Sequence, residues 1–203
     1  IDGRYFTSLA GGKESKNFIK AFFFDLQKIN KGASRPSKEL YPVWKSKKVG
    51  VLGAGMMGQG IAYVSAMSGI EVVLLDMNLE AAERGKGYSQ KLLDKRVSKG
   101  SMTKEAAAEK LALIKASNDY ADLAGCDLVI EAVFENREIK ADVTKKVEAV
   151  CNPELVFASN TSTLPITGLA TASQHPQNFI SLHFFSPIDK MPLVEIICGE
   201  KTN

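Results

Sequence analysis

From Lys47 onward, short apolar runs alternate with longer segments whose apolar residues recur at helical spacing. "KVGVLG" is a β-rich run, and "MGQGIAYVSAMSG" reads as a helix ending at Gly69, a residue type suited to a helix C-terminus. "IEVVLLD" predicts a second strand, apolar on both faces, as expected in a covered parallel sheet. Leu79 to about Lys99 predicts a long helix with a polar face, and Thr103–Lys110 a shorter one. "ALIKAS", "CDLVIEAV", "ELVFAS" and "FISLHFF" predict further strands, with a helix at about Arg137–Val150 between two of them. Such alternation predicts an α/β fold: a doubly wound, mostly parallel sheet with helices on both faces.

Residues 1–44 have a different pattern. After Gly11 and Gly12, a helix is predicted from about Lys13 to Asn30, with Phe18, Phe22, Leu26 and Ile29 on one stripe. "KGASRPSKELYPVWK" then carries Gly, Ser and two Pro and reads as a linker. The stripe could lie on a membrane surface, but "AFFFDL" offers little apolar length, so packing on another domain is favoured. The expected division is a linker helix and linker at 1–44 and a nucleotide-binding domain at 45–203.

Bulk composition narrows the classes. A net charge of +3 over 203 residues gives no support for a nucleic-acid partner. No apolar run is long enough to span a bilayer, so membrane contact is not expected. Cys126, Cys151 and Cys198 are scattered, odd in number and without CxxC spacing, so neither a metal site nor a disulfide framework is expected. A reducing compartment suits them. The chain opens at Ile1 rather than Met and reads as part of a longer protein.

Chemistry first enters at "KKVGVLGAGMMGQGIA". Gly53, Gly55 and Gly58 stand in GxGxxG spacing between a strand and a helix. Gly53 permits a tight turn, Gly55 lets a pyrophosphate approach the backbone, and Gly58 lets the helix pack against the strand. The helix that Met56 and Met57 open would turn free N–H groups and a positive dipole end toward that anion. Asp76 closes the second strand 23 residues after Gly53, near the separation expected of an acid that holds a ribose. A carboxylate there accepts from both ribose hydroxyls of NAD. Against a 2′-phosphate, two unit charges at about 4 Å and an effective dielectric near 20 cost ~4 kcal/mol before screening. No Arg immediately follows Asp76, so NAD is the expected cofactor.

A second candidate is "SLHFFSPIDKMPLVEII". His183 closes a predicted strand, and Glu195 follows twelve residues later in an apolar run. A lone histidine at a strand end can simply fill space; one with its own carboxylate can serve as a base. His175, in "ASQHPQN", sits in polar loop sequence and is expected to be solvated.

"GVLGAGMMGQGIA", "DLVIEAVFEN", "VFASNTSTLPIT" and "LHFFSPIDKMPLVEII" together resemble the Rossmann-like NAD-binding domain of L-3-hydroxyacyl-CoA dehydrogenases. They are most similar to the dehydrogenase part of multifunctional fatty acid oxidation α-subunits. The resemblance covers about Lys45–Asn203 and is looser over 1–44. It implies NAD-dependent oxidation of L-3-hydroxyacyl-CoA in β-oxidation, an enoyl-CoA hydratase domain upstream, a helical dehydrogenase domain downstream and a thiolase subunit as partner. A bacterial version would be cytoplasmic; the alternatives are mitochondrial and peroxisomal.

By the same resemblance, His183 is the catalytic base, Glu195 its carboxylate partner, and Ser162 the serine that meets the substrate oxygen. Glu135 and Lys140 lie near the nicotinamide end and the acyl-CoA. Ser186 and a lysine near the end of the long helix, Lys95 or Lys99, are implied on the substrate side. The chemistry is consistent: oxidising a secondary alcohol needs a proton acceptor as hydride leaves, and a neutral imidazole with a carboxylate behind it supplies one. Ser162 as a mere helix N-cap before "LPITGLA" and Glu131 as a structural strand residue remain alternatives. A binding module that senses NAD(H) without turnover, or a β-hydroxyacid-type dehydrogenase, are the competing functions. The former needs no base, and the latter uses a lysine from a later helix. The catalytic asparagine of such enzymes comes from the downstream domain, so this chain alone is expected to lack part of the site.

Overall fold

Seven strands line up in one sheet in the order β3-β2-β1-β4-β5-β6-β7. The structure, a computed structural model, describes residues 2–33, 39 and 43–203. They form two compact units, Ile1–Lys45 and Ser46–Asn203.

In the first unit, α1 (Asp2–Gly11), α2 (Lys13–Ile19), a π-helical stretch (Lys20–Asp25) and α3 (Leu26–Asn30) follow one another. The helix α1 was not expected from the sequence. The Phe18 and Phe22 rings stack with centroids 5.3 Å apart, and no described side chain of α2 or α3 is buried. Part of the expected linker, residues 34–38 and 40–42, lies outside the described residues.

The second unit holds the sheet. Strands β1 (Lys48–Leu52), β2 (Glu71–Leu75), β3 (Ile114–Ser117), β4 (Leu128–Glu131), β5 (Val156–Ser159) and β6 (Phe179–Phe184) run parallel to one another. Because β-strand side chains alternate between faces, each central strand feeds two cores. Val73, Leu75, Leu52, Val129, Phe157 and Phe179 face α7 (Arg137–Glu148) and α8 (Ile166–Leu169). Val49, Val51, Val72, Leu74, Ile130 and Ala158 face α4 (Met56–Met67). Tyr63 of α4 packs with Leu93 of α5 (Leu79–Ser98) and Ala107 of α6 (Lys104–Ala112).

Side chains cap the helices where the sequence places Asn or Thr. Asn78 accepts from Ala81 N–H, Thr103 from Ala106 N–H, and Asn136 from Glu138 and Ile139 N–H. Gly69 ends α4 at φ +82°, a left-handed conformation that favours glycine. Ala112 and Leu113 of the expected third strand belong instead to α6 and its C-cap.

The largest departure from expectation is β7 (Val194–Cys198), which pairs antiparallel with β6 and forms one edge of the sheet. All five of its residues are exposed, so no alternation of buried and solvated positions marks it as a strand. The apolar residues of the segment between β6 and β7 and of β7 itself divide in two. Ile188 is buried against α4 at Gly60, while Met191, Val194, Ile196 and Ile197 are exposed.

The cysteines report on this layering. Burial pushes the Cys126 thiol up to about 12 and raises that of Cys151 as well. Cys198 lies exposed on β7. In native protein at pH 8, a thiol reagent should modify Cys198 first, and Cys126 should react only on unfolding. Peptide mapping after timed labelling checks this; rapid modification of Cys126 would mean that the face covered by α7 is open.

Candidate active site at the carboxyl edge of the sheet

The strand order reverses between β1 and β4, and the carboxyl ends of the strands open there into a crevice. The glycine turn leaves β1 at that point, between β1 and α4. Gly53 has φ +88°, and its N–H donates to Leu75 O at 2.8 Å, which ties the turn to the end of β2. A Cβ on Gly58 would lie 1.7 Å from Gly53 O, so this position tolerates no side chain. Gly55 differs: a Cβ there would meet nothing within 4 Å, and its φ of −70° is open to any residue. Glycine at 55 therefore leaves a space above the turn that the fold itself does not fill. No side chain caps the N-terminus of α4, so its N–H groups face that space.

Asp76, at the end of β2, accepts from Ala54 N–H at 2.6 Å and from Met77 N–H at 2.7 Å. Both bonds fix the carboxylate against the turn, and the remaining lone pairs are left for ribose hydroxyls. An open anion cradle beside a fixed acid fits a dinucleotide with an unphosphorylated ribose.

Across the switch point, Glu131 ends β4 almost completely buried. It faces α7, where Lys140 Nζ donates to its two oxygens at 2.8 and 2.9 Å. Ser159 hydroxyl and Val133 N–H also donate to it, the latter at 3.3 Å. Burial pushes the Glu131 carboxyl up, against the pull of the Lys140 ammonium. Lys140 reaches Glu135 too, at 3.1 Å. Glu135 further accepts from the hydroxyls of Thr161 and, at 3.2 Å, Thr163. Partial burial alone would raise the Glu135 carboxyl, but Thr161, Lys140 and Thr163 outweigh it and hold it below the usual carboxylate range.

His183 and Glu195 sit directly opposite each other on β6 and β7. Nδ1 of His183 lies 2.8 Å from Glu195 Oε2. Glu195 as acceptor places the proton of a neutral imidazole on Nδ1 and leaves the Nε2 lone pair for another group. The ring also packs on Phe185, with centroids 4.6 Å apart. Asn160 steadies the neighbouring backbone by accepting from Phe184 N–H at 2.9 Å.

The remaining expected residues divide into two groups. Ser186 brings its loop to the glycine turn, its Oγ 3.9 Å from Met56 Sδ. Met57 is half-buried and Met56 exposed at the mouth of the turn. Ser162 is exposed just beyond β5 and caps no helix, because α8 starts after Pro165 without a side-chain cap. Lys140 is buried, and its ammonium is held by Glu131 and Glu135. Lys99 lies fourteen residues beyond Gly85, the point where α5 touches Ala54, or about 21 Å along a helix rising 1.5 Å per residue. It is therefore not gathered with the others. Ser159, Asn160 and Thr161 were passed over in sequence, although their run "SNTS" after a strand is what places polar groups at a carboxyl edge.

Residues 48–203 match the family described as 3-hydroxyacyl-CoA dehydrogenase, NAD binding domain. The fatty acid oxidation complex subunit alpha of Psychrobacter arcticus is 39% identical over all 203 residues, which span 28% of that protein. Among solved structures, the (S)-3-hydroxybutyryl-CoA dehydrogenase of Ralstonia eutropha superposes with a TM-score of 0.75 at 38% identity, over 78% of this chain and 56% of that one. The 3-hydroxybutyryl-CoA dehydrogenase of Escherichia coli gives 0.76 at 36% identity, over 79% of this chain and 34% of its own.

The two glycines give a discriminating test. Gly55→Ala should fold with near-normal thermal stability yet weaken NADH binding at least tenfold, because its Cβ enters only the cradle. Gly58→Ala should instead lower thermal stability outright. Circular dichroism melts beside NADH fluorescence titration check both; unchanged NADH affinity in Gly55→Ala would remove the pyrophosphate from this turn. Titration calorimetry should also show NADH favoured over NADPH, with the gap narrowed in Asp76→Ala.

Proposed function

Since this chain belongs to the 3-hydroxyacyl-CoA dehydrogenase family through its NAD-binding domain, we propose that it performs the cofactor-binding and proton-accepting half of a β-oxidation step. In that step an L-3-hydroxyacyl-CoA is oxidised to the 3-ketoacyl-CoA. The observation that carries this reading is the His183–Glu195 pair at 2.8 Å on the same sheet edge as the glycine turn.

Bound NAD⁺ supplies the hydride acceptor. The other roles belong to this chain. Gly55 and the start of α4 seat the pyrophosphate, and Asp76 holds the adenosine ribose. His183 Nε2 takes the hydroxyl proton, and Glu195 steadies the imidazolium that forms. Ser162, exposed just beyond β5, can donate to the substrate oxygen as it becomes a carbonyl.

The chain spans about a quarter of the length of its fatty acid oxidation relatives. We assign residues 1–44 to the join with an upstream hydratase domain and 45–203 to the cofactor domain, with a helical domain completing the site. That domain would cover β7, where Glu195 is half exposed and Ile196 and Ile197 are open. Covering these residues would strengthen the His183–Glu195 interaction by excluding water. A thiolase subunit that consumes the ketoacyl product is the partner this arrangement suits. No described helix is long and apolar enough to cross a membrane.

In the full-length protein, His183→Ala should cut kcat by roughly 10²–10⁴-fold with little change in NADH affinity. Glu195→Gln should also lower kcat. Steady-state oxidation of an L-3-hydroxyacyl-CoA provides the measurement, and near-normal turnover in His183→Ala would end the assignment. The 203-residue chain alone should bind NADH but reduce acetoacetyl-CoA poorly. Turnover within tenfold of the full-length protein would show that the site needs no further cover.

A further inference from the structure

Two carboxylates and one ammonium meet beneath the rim of the crevice. Lys140 Nζ contacts Glu131 at 2.8 Å and Glu135 at 3.1 Å, and it is the cation paired with each. The nearby guanidinium of Arg137 points elsewhere: its Nη1 would lie 3.0 Å from a Cβ built on Gly168 of α8. Both carboxylates are held by donors. Glu131 accepts from Lys140, Ser159 and Val133 N–H, and Ser159 Oγ in turn accepts from Thr161 N–H at 3.3 Å. Glu135 accepts from Thr161, Thr163 and Lys140. With both carboxylates ionised, the group carries one negative charge more than it can neutralise. Glu131 and Lys140 are only 1% and 3% exposed, so the surplus falls on Glu135, whose side chain is 39% exposed and only partly screened by water.

A part-buried surplus charge is stabilised when an opposite charge arrives beside it. The topology indicates which partner. Asp76 ends β2 on one side of β1, while Glu131 and Glu135 lie at the end of β4 on the other side. A dinucleotide that straddles the turn with its adenosine ribose on Asp76 extends its nicotinamide half over β4 and β5, toward His183 at the end of β6. The oxidised nicotinamide ring is a cation; the reduced ring is neutral.

We propose that the Glu131–Lys140–Glu135 group discriminates between the two redox states of the cofactor, its surplus negative charge favouring NAD⁺ over NADH. This rests on the NAD-binding reading above and assigns that site a charge-based preference. Glu135 is the member that faces the ligand, with a side chain 39% exposed, and the buried Lys140–Glu131 pair fixes its position. Once the ring has accepted hydride the attraction is gone, which favours release of the reduced cofactor.

The test compares dissociation constants for NAD⁺, NADH and ADP-ribose by titration calorimetry on this chain. ADP-ribose lacks only the nicotinamide ring and reports the rest of the dinucleotide. In Glu135→Gln, the ratio Kd(NADH)/Kd(NAD⁺) should fall roughly 5- to 30-fold, the size of a single charge coupling, with ADP-ribose unchanged. Glu135→Asp, which keeps the charge, should retain the wild-type ratio. Glu131→Gln, read beside a thermal melt, should shift the ratio in the same direction. An unmoved ratio in Glu135→Gln overturns the proposal, as does equal weakening of NAD⁺ and NADH, which would make Glu135 only a positioning residue. Failure of the wild type to bind ADP-ribose or either cofactor would instead overturn the NAD-binding reading.

Discussion

The hydrogen bond between His183 and Glu195 depends on one feature of the sheet, the reversal of direction at its last strand. Six parallel strands deliver their carboxyl ends to one edge, and β7 runs back antiparallel from that edge. The reversal sets Glu195 opposite His183, although twelve residues separate them in the chain. A parallel β7 would have carried the carboxylate away from the crevice. The loop between the two strands also docks Ile188 on α4 and brings Ser186 to Met56, so the same excursion joins the strand of His183 to the glycine turn.

The site therefore has two halves on either side of β1. Asp76 and the glycine turn depend on β1 and β2, and their geometry is fixed largely by backbone N–H groups. The β4–β6 half depends on side chains. In-register pairing of Glu131 with Ser159 and of Ser159 with Ser181 places polar residues side by side on the face that α7 covers. Lys140, one turn into α7 after the Asn136 cap, reaches down onto that row. An apolar residue at 140 would leave Glu131 buried without a counter-charge, a change that typically costs about 3–5 kcal/mol.

Much of this was legible in the sequence because local physics dictates it. Apolar runs gave the parallel strands, and glycine spacing with a strand-terminal acid gave the cofactor turn. The missed features depend on contacts distant in sequence. β7 escaped detection because its residues are exposed throughout, so the alternation that betrays a half-buried strand is absent. The ion pair of Lys140 with Glu131 was not legible, because nothing local announces that a carboxylate nine residues earlier lies beneath it. Composition singled out the lysines of α5, but the distance of Lys99 from the glycine turn follows from helix length and is not a local signal.

Whether Glu195 presets His183 as a base can be read directly from the imidazole. Nitrogen-15 NMR of His183 at pH 9, where a free imidazole is neutral, distinguishes the two tautomers. We expect the proton on Nδ1, directed at Glu195, with Nε2 unprotonated, and we expect that bias to weaken in Glu195→Gln. A proton on Nε2 in the wild type would leave His183 unable to accept one there, and would contradict the role assigned to the pair.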